Sequence, residues 1–160
     1  MSELRKLDFL LGRWVGHSVD QFDEKGILES SLEYTKEPSD MFLQVKGETR
    51  KDGVLLNSAI AFITYDPRAK KYIWKRVWSY GFIENGEGVW EGEDTIVFQI
   101  TKFDNEPEGF AGSLWKSFIR RYSDEEIGQG LYVAKGGDEY KLYGESRATR
   151  VRSQVARLDG

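Results

Sequence analysis

The sequence predicts an all-β fold: a single antiparallel up-and-down β-barrel of about ten strands, with a short N-terminal helix capping one end. Three observations predict it. After Trp14 the apolar pattern takes period two and keeps it to the last segment. Turn chemistry interrupts that pattern at intervals of roughly 8–14 residues, which is the spacing of a hairpin meander. No composition break, internal repeat or low-complexity segment divides the 160 residues, a length suited to one domain with its own core.

The opening SELRKLDFLLG reads as a helix. Ser2 can cap it, Leu4, Leu7 and Leu11 share one face, and Gly12 can end it. Strands are then expected at 14–22, 27–36, 41–50, 54–65 and 71–80, followed by 82–91, 95–103, 113–122, 128–135 and 139–149. The sixth is interrupted by Asn85-Gly86 and Gly88. Between strands, Lys51-Asp52-Gly53 and Gly136-Gly137 supply the positive φ that tight hairpins need. Asp66-Pro67 suits a type I turn, and DNEPEG forms the connection after Phe103. Alternation places Met41, Leu43 and Val45 on one wall, and Ile96, Phe98 and Ile100 on another. A meander this long tends to close, because closure removes exposed edges. A barrel of eight to ten strands leaves room for about one small ligand. The helix then serves as a plug over one end.

Composition narrows the function. Net charge is −4, so a nucleic-acid partner is not expected, and no apolar run is long enough for membrane insertion. The one basic stretch, RATRVRSQVAR at 147–157, reads as a solvated terminal segment, with phosphate binding as its alternative. There are no cysteines, which excludes disulfides, thiol catalysis and cysteine-held metals. With no signal-peptide pattern at the start, a cytoplasmic location is expected. No phosphate loop, nucleophile elbow or HExxH motif occurs. The acids of GEGVWEGED do not follow calcium-loop spacing and read as a solvated hairpin.

The segment FLLGRWVGHS, with Gly12 two residues before Trp14, resembles the glycine–x–tryptophan signature of lipocalin-like barrels. Together with AFITYDPRAKKYIWKRVWSYG, GEGVWEGED and YGESRATR, it makes the chain similar to an uncharacterised microbial family of calycin-type, fatty-acid-binding-protein-like barrels, distant relatives of the haem-binding nitrobindins. The resemblance implies that Trp14 fills the closed end and that an arginine from the last strand, Arg147 or Arg150, stacks on its indole. It also implies a cavity for a ligand. Nitrobindins hold haem through a histidine near the C-terminus, and this chain departs from them there. Its one histidine is His17, and alternation from Trp14 points it outward. Haem held through a tyrosine stays chemically open.

The residues expected to carry binding lie chiefly on KYIWKRVWSYG, where Tyr72, Trp74, Arg76, Trp78 and Tyr80 alternate onto one face. Rings of this kind bury roughly 150–250 Å² each, which argues for an inward face. Two readings of Arg76 stand. It can grip the anionic head of an amphipathic ligand, helped by Tyr72 or Tyr80 and walled by the tryptophans. Alternatively it stacks on the tryptophans and bonds an internal acid, simply packing the core. In SLWKSFIRRY, the stripe of Leu114 and Phe118 favours the phase that turns Arg120 and Tyr122 inward, whereas the other phase turns Arg121 inward with Trp115 and Ile119. Tyr34, with Leu28 and Leu32, is expected to form another wall.

Non-enzymatic binding of a small hydrophobic or amphipathic ligand is therefore the leading expectation. Nitrobindin-type haem chemistry on nitrogen oxides and a homodimeric module using the aromatic strand are the alternatives.

Overall fold

A computed structural model describes residues 2–19, 26–106, 113–137 and 139–152. Ten antiparallel strands form one closed barrel: β1 (Gly12–Val19), β2 (Ile27–Lys36), β3 (Leu43–Lys51), β4 (Val54–Asp66), β5 (Lys71–Trp78), β6 (Ile83–Glu91), β7 (Thr95–Asp104), β8 (Ser113–Arg121), β9 (Glu126–Lys135) and β10 (Lys141–Arg150). Each strand pairs with its sequence neighbour, and β1 with β10 closes the ring. The expected up-and-down barrel is observed. The end of the first expected strand (20–22) and the second half of the DNEPEG connection (107–109) lie outside the described residues, as does the basic tail beyond 152. Among the described residues no helix is long and apolar enough to cross a membrane.

The N-terminal segment is a 3₁₀ helix, Glu3–Leu10, rather than an α-helix. That changes its buried face. With three residues per turn, positions i, i+3 and i+6 align, so Leu4, Leu7 and Leu10 enter the core and Leu11 does not join them fully. Ser2 stands at the N-cap without a side-chain capping bond. The three leucines plug one end of the barrel, as expected. There the Trp14 indole donates to the carbonyl of Leu10 at 2.7 Å, locking the helix to the start of β1. Gly12 sits between them at φ +118°, where other residues are strained.

Inside, the alternation holds. Leu43, Val45, Ile96, Phe98 and Ile100 are buried, whereas Met41 precedes β3 and lies exposed. Asn85-Gly86 does not break β6; the strand runs through with a register shift at that point. Gly86 and Gly88 are required by close approach. A Cβ on Gly86 would lie 2.7 Å from the carbonyl oxygen of Gln99, and one on Gly88 would lie 2.5 Å from the Phe98 ring.

The phase of β8 is opposite to the one favoured by its apolar stripe. Trp115, Ser117 and Ile119 point inward, and Leu114, Phe118 and Arg120 take the outer face. The reason lies on the neighbouring strand. Phe118 stands opposite Gly130, whose missing side chain leaves a trough for the ring. Tyr132 then covers it at a centroid distance of 5.1 Å, and the Arg120 guanidinium lies 5.0 Å from its centre. Phe118 is thus buried on the outside of the sheet. Trp115 meanwhile packs edge-on against Phe82 and Phe103 within.

Candidate functional site

Among the described residues the barrel is plugged at one end, by the 3₁₀ helix. Beyond that plug lies a cavity of about 600 Å³. It exists because several inward positions carry small side chains: Gly47 on β3, Ala59 and Ala61 on β4, Ser117 on β8, and Ser146 and Ala148 on β10. Large rings line the opposite side, among them Trp74, Trp78, Phe82 and Trp115.

Strand β5 supplies the chemistry. Its odd-even alternation turns Tyr72, Trp74, Arg76 and Trp78 inward, as expected. Trp74, Arg76, Trp78 and Tyr80 all line the cavity, and only Tyr80, at the open rim, is well exposed, at 60%. Tyr72 lies deeper, beneath the helical plug. Its hydroxyl donates to the carbonyl of Glu3 at 2.6 Å and accepts from Trp90 Nε1 at 3.0 Å. Burial pushes this phenol up to about 12. Tyr72 is therefore part of the closure and not of the cavity wall.

Arg76 has an internal partner that sequence reasoning left unnamed. Glu84, 0% exposed, stands directly opposite it in the β5–β6 register. Arg76 Nε and Nη2 both donate to the Glu84 carboxylate, the latter at 2.9 Å, and Trp78 Nε1 adds a third donor at 2.9 Å. The guanidinium carbon lies 4.5 Å from the Trp78 ring centre and 5.1 Å from that of Trp74. A fully buried carboxylate needs such partners, and here they come from the same wall. The signal in the sequence was the hairpin 78–83, whose register places the one acid of the inward β6 face across from Arg76. Reading it required the turn length to be known.

Tyr34 is buried beside the cavity, and its hydroxyl accepts a hydrogen bond from Gln129 Nε2. Burial raises this phenol far above its ordinary range, with Arg76 and Gln129 opposing weakly. Leu32 of the same strand lines the cavity. Two buried side-chain atoms have no hydrogen-bond partner among the described residues: Trp74 Nε1 and Ser117 Oγ. Both belong to cavity-lining residues.

Arg120 and Tyr122, expected to face inward, lie on the outer surface. Arg120 Nε donates to Thr95 Oγ1 at 3.2 Å, and Tyr122 donates to Glu145 while Arg147 stacks on its ring at 4.0 Å. They are displaced by the β8 phase described above, and neither lines the cavity. The basic segment is engaged as far as it is described: Arg147 bonds Glu126 at 3.0 Å, and Arg152 bonds Glu125.

Arg150, not Arg147, is the arginine at Trp14. Its guanidinium lies 4.2 Å from the indole centre, at the plugged end.

The donor set does not suit haem held as in nitrobindins. His17 faces outward with its side chain 65% exposed, 3.7 Å from Glu29. Among the described residues lining the cavity there is no histidine, and the oxygen donors large enough to serve are Tyr80 and Tyr143 near the mouth.

No protein-family model matches the chain, and no curated protein matches it. Solved structures do. Rv2717c from M. tuberculosis is 18% identical, with 95% of this chain and 99% of that one covered at a TM-score of 0.67. The S-type phycobiliprotein lyase CPES from Guillardia theta is 12% identical, with 96% and 95% covered at a TM-score of 0.57. At these identities the likeness is one of fold. Taken with the closed ten-strand ring and the Gly12–Trp14–Arg150 arrangement, that fold fits a lipocalin-like barrel architecture.

Proposed function

We propose that the barrel binds one small, predominantly apolar molecule in its interior and that binding, not catalysis, is its activity. The observation that carries this reading is the cavity beyond the helical plug. Its volume of about 600 Å³ falls in the range of small-molecule sites, and it is walled by rings with a few convergent polar groups. Trp74, Trp78 and Tyr80 provide flat walls, and Arg76 provides a fixed donor. Tyr34 sits behind the wall and orients Gln129, which lines the cavity. A barrel of the same shape is a phycobiliprotein lyase, which is in keeping with a small-molecule partner. Kinship with the uncharacterised microbial barrels belongs to this proposal, supported by the Trp14–Arg150 stack.

The test is a titration with the neutral probe N-phenyl-1-naphthylamine, read by probe emission and by quenching of cavity tryptophans. Saturable binding of one probe per chain is expected, together with a loss of at least tenfold in Ala59→Phe, which fills the cavity. Should that variant not fold, Thr49→Trp at the open end serves the same purpose. Binding that never saturates, or that ignores both substitutions, refutes an interior site.

A further inference from the structure

We propose that the polar group a ligand seats against the Arg76 wall is an uncharged hydrogen-bond acceptor, such as an amide, ester or ring carbonyl, and not a carboxylate, phosphate or sulfonate. This rests on the reading that the cavity holds a small molecule, and it narrows the class.

The argument is one of charge. Within the inner cavity wall, Arg76 is the cationic side chain among the described residues, and its charge is already matched. Glu84 takes two of its donors and lies wholly out of water. An anion arriving at Arg76 would share one guanidinium with a second carboxylate, giving the site a net charge of minus one in surroundings of low polarity. Glu84 cannot retreat, because Trp78 Nε1 also holds it at 2.9 Å and it has no path to solvent. Arg76 cannot swing toward the ligand without leaving both tryptophan faces, 4.5 and 5.1 Å away.

What the wall does offer is donors. The bonds of Arg76 to Glu84 run from Nε and Nη2, which leaves the outer Nη1 edge of the guanidinium, on a side chain lining the cavity, to meet an acceptor. Trp74 Nε1 and Ser117 Oγ are the buried side-chain atoms left without partners. A site rich in donors and neutral in sum favours a carbonyl oxygen over an anion. Nearer the mouth, Lys135 and Glu48 also line the cavity, with Glu48 3.1 Å from Arg50. These are solvent-exposed or half-exposed groups, so water screens the one cationic charge left over, and the balance at the buried Arg76–Glu84 pair is unchanged.

The experiment compares naphthalene-2-carboxamide with naphthalene-2-carboxylate at neutral pH by calorimetry or by displacement of N-phenyl-1-naphthylamine. In the unaltered protein the carboxamide is expected to bind at least tenfold more tightly. Glu84→Gln, which keeps the shape and frees the charge of Arg76, is expected to raise carboxylate affinity at least tenfold relative to the carboxamide. Equal or tighter carboxylate binding in the unaltered protein overturns the inference while leaving the cavity reading intact, and it does so even if the variant fails to fold. Binding of the naphthylamine with both naphthalenes silent also overturns the inference alone. Failure of all three compounds to bind overturns the cavity reading as well.

Discussion

Arg150 spreads its guanidinium over the Trp14 indole at 4.2 Å, joining the last strand to the first where the barrel is plugged. The same group donates to the carbonyls of Leu11 and Phe9, each at 2.6 Å, and to that of Asp124 at 3.0 Å. The first two are carbonyls at the end of the 3₁₀ helix, which would otherwise lack partners. Arg150→Leu should therefore cost about 2–4 kcal/mol, combining unsatisfied carbonyls with a lost cation–π contact. Arg150→Lys should recover only part of it, since an ammonium lacks the planar fork. Urea denaturation checks both, and a full rescue by lysine would contradict the forked geometry.

Glu84 and Arg76 should show strong coupling. Glu84→Leu leaves a partly buried guanidinium without its counter-charge and should destabilise by about 3–5 kcal/mol. Adding Arg76→Met should restore much of that loss, because the second apolar side chain removes the stranded charge. A double-mutant cycle by chemical denaturation measures the coupling. Additive losses would show that the pair is not a unit.

Two glycines on inward faces should respond oppositely to alanine. A Cβ on Gly16 would lie 2.4 Å from the carbonyl oxygen of Arg147, on the seam that closes the barrel. The Arg147 backbone, held in the β1–β10 ladder, cannot yield cheaply, so Gly16→Ala should cost about 1–3 kcal/mol. At Gly47 the nearest atom is a methyl of Leu32 at 3.2 Å, the end of a movable side chain. Gly47→Ala should be neutral or stabilise by about 0.5–1 kcal/mol through reduced backbone entropy in the unfolded chain. Thermal midpoints of the two variants decide the matter.

Stability should decline in alkali through Tyr72. Burial holds this phenol protonated up to about 12 in the folded protein, against an ordinary value of 10.0. Between those values the unfolded chain has released the proton and the folded chain has kept it. Raising pH therefore favours unfolding across this window, and the stabilisation is complete below 10. Tyr34, also raised by burial, adds to the same trend. The melting temperature should fall steadily above pH 10, with a shallower slope in Tyr72→Phe. An unchanged slope in that variant would remove Tyr72 as the cause. At neutral pH the same substitution should cost about 1–2 kcal/mol, because the Trp90 indole and the Glu3 carbonyl lose their shared partner.

The inward aromatic row was legible in the sequence. The row from Tyr72 to Trp78 faces inward because four bulky groups at period two cannot all be left wet, and burial of rings outweighs the cost of one arginine. The tryptophan after Gly12 pointed to a stacked arginine near the end of the chain, although Arg147 and Arg150 were equal candidates. Strand β8 was less legible. Both of its alternations carry apolar residues, Leu114 with Phe118 and Trp115 with Ile119, so polarity could not choose between them.

Local residue chemistry determined the number of strands, their hairpin order and the inward turn of the aromatic row, since period two and turn propensity act within a few residues. Tertiary structure alone decided the rest. Gly130, across the ladder, sets the phase of Phe118; the β5–β6 register joins Arg76 to Glu84; and Gly47, Ala59, Ala61 and Ser117 meet from three strands to leave a space. Each of these depends on which side chains stand opposite one another once the ring closes, and that is a property of pairing between strands rather than of any one segment.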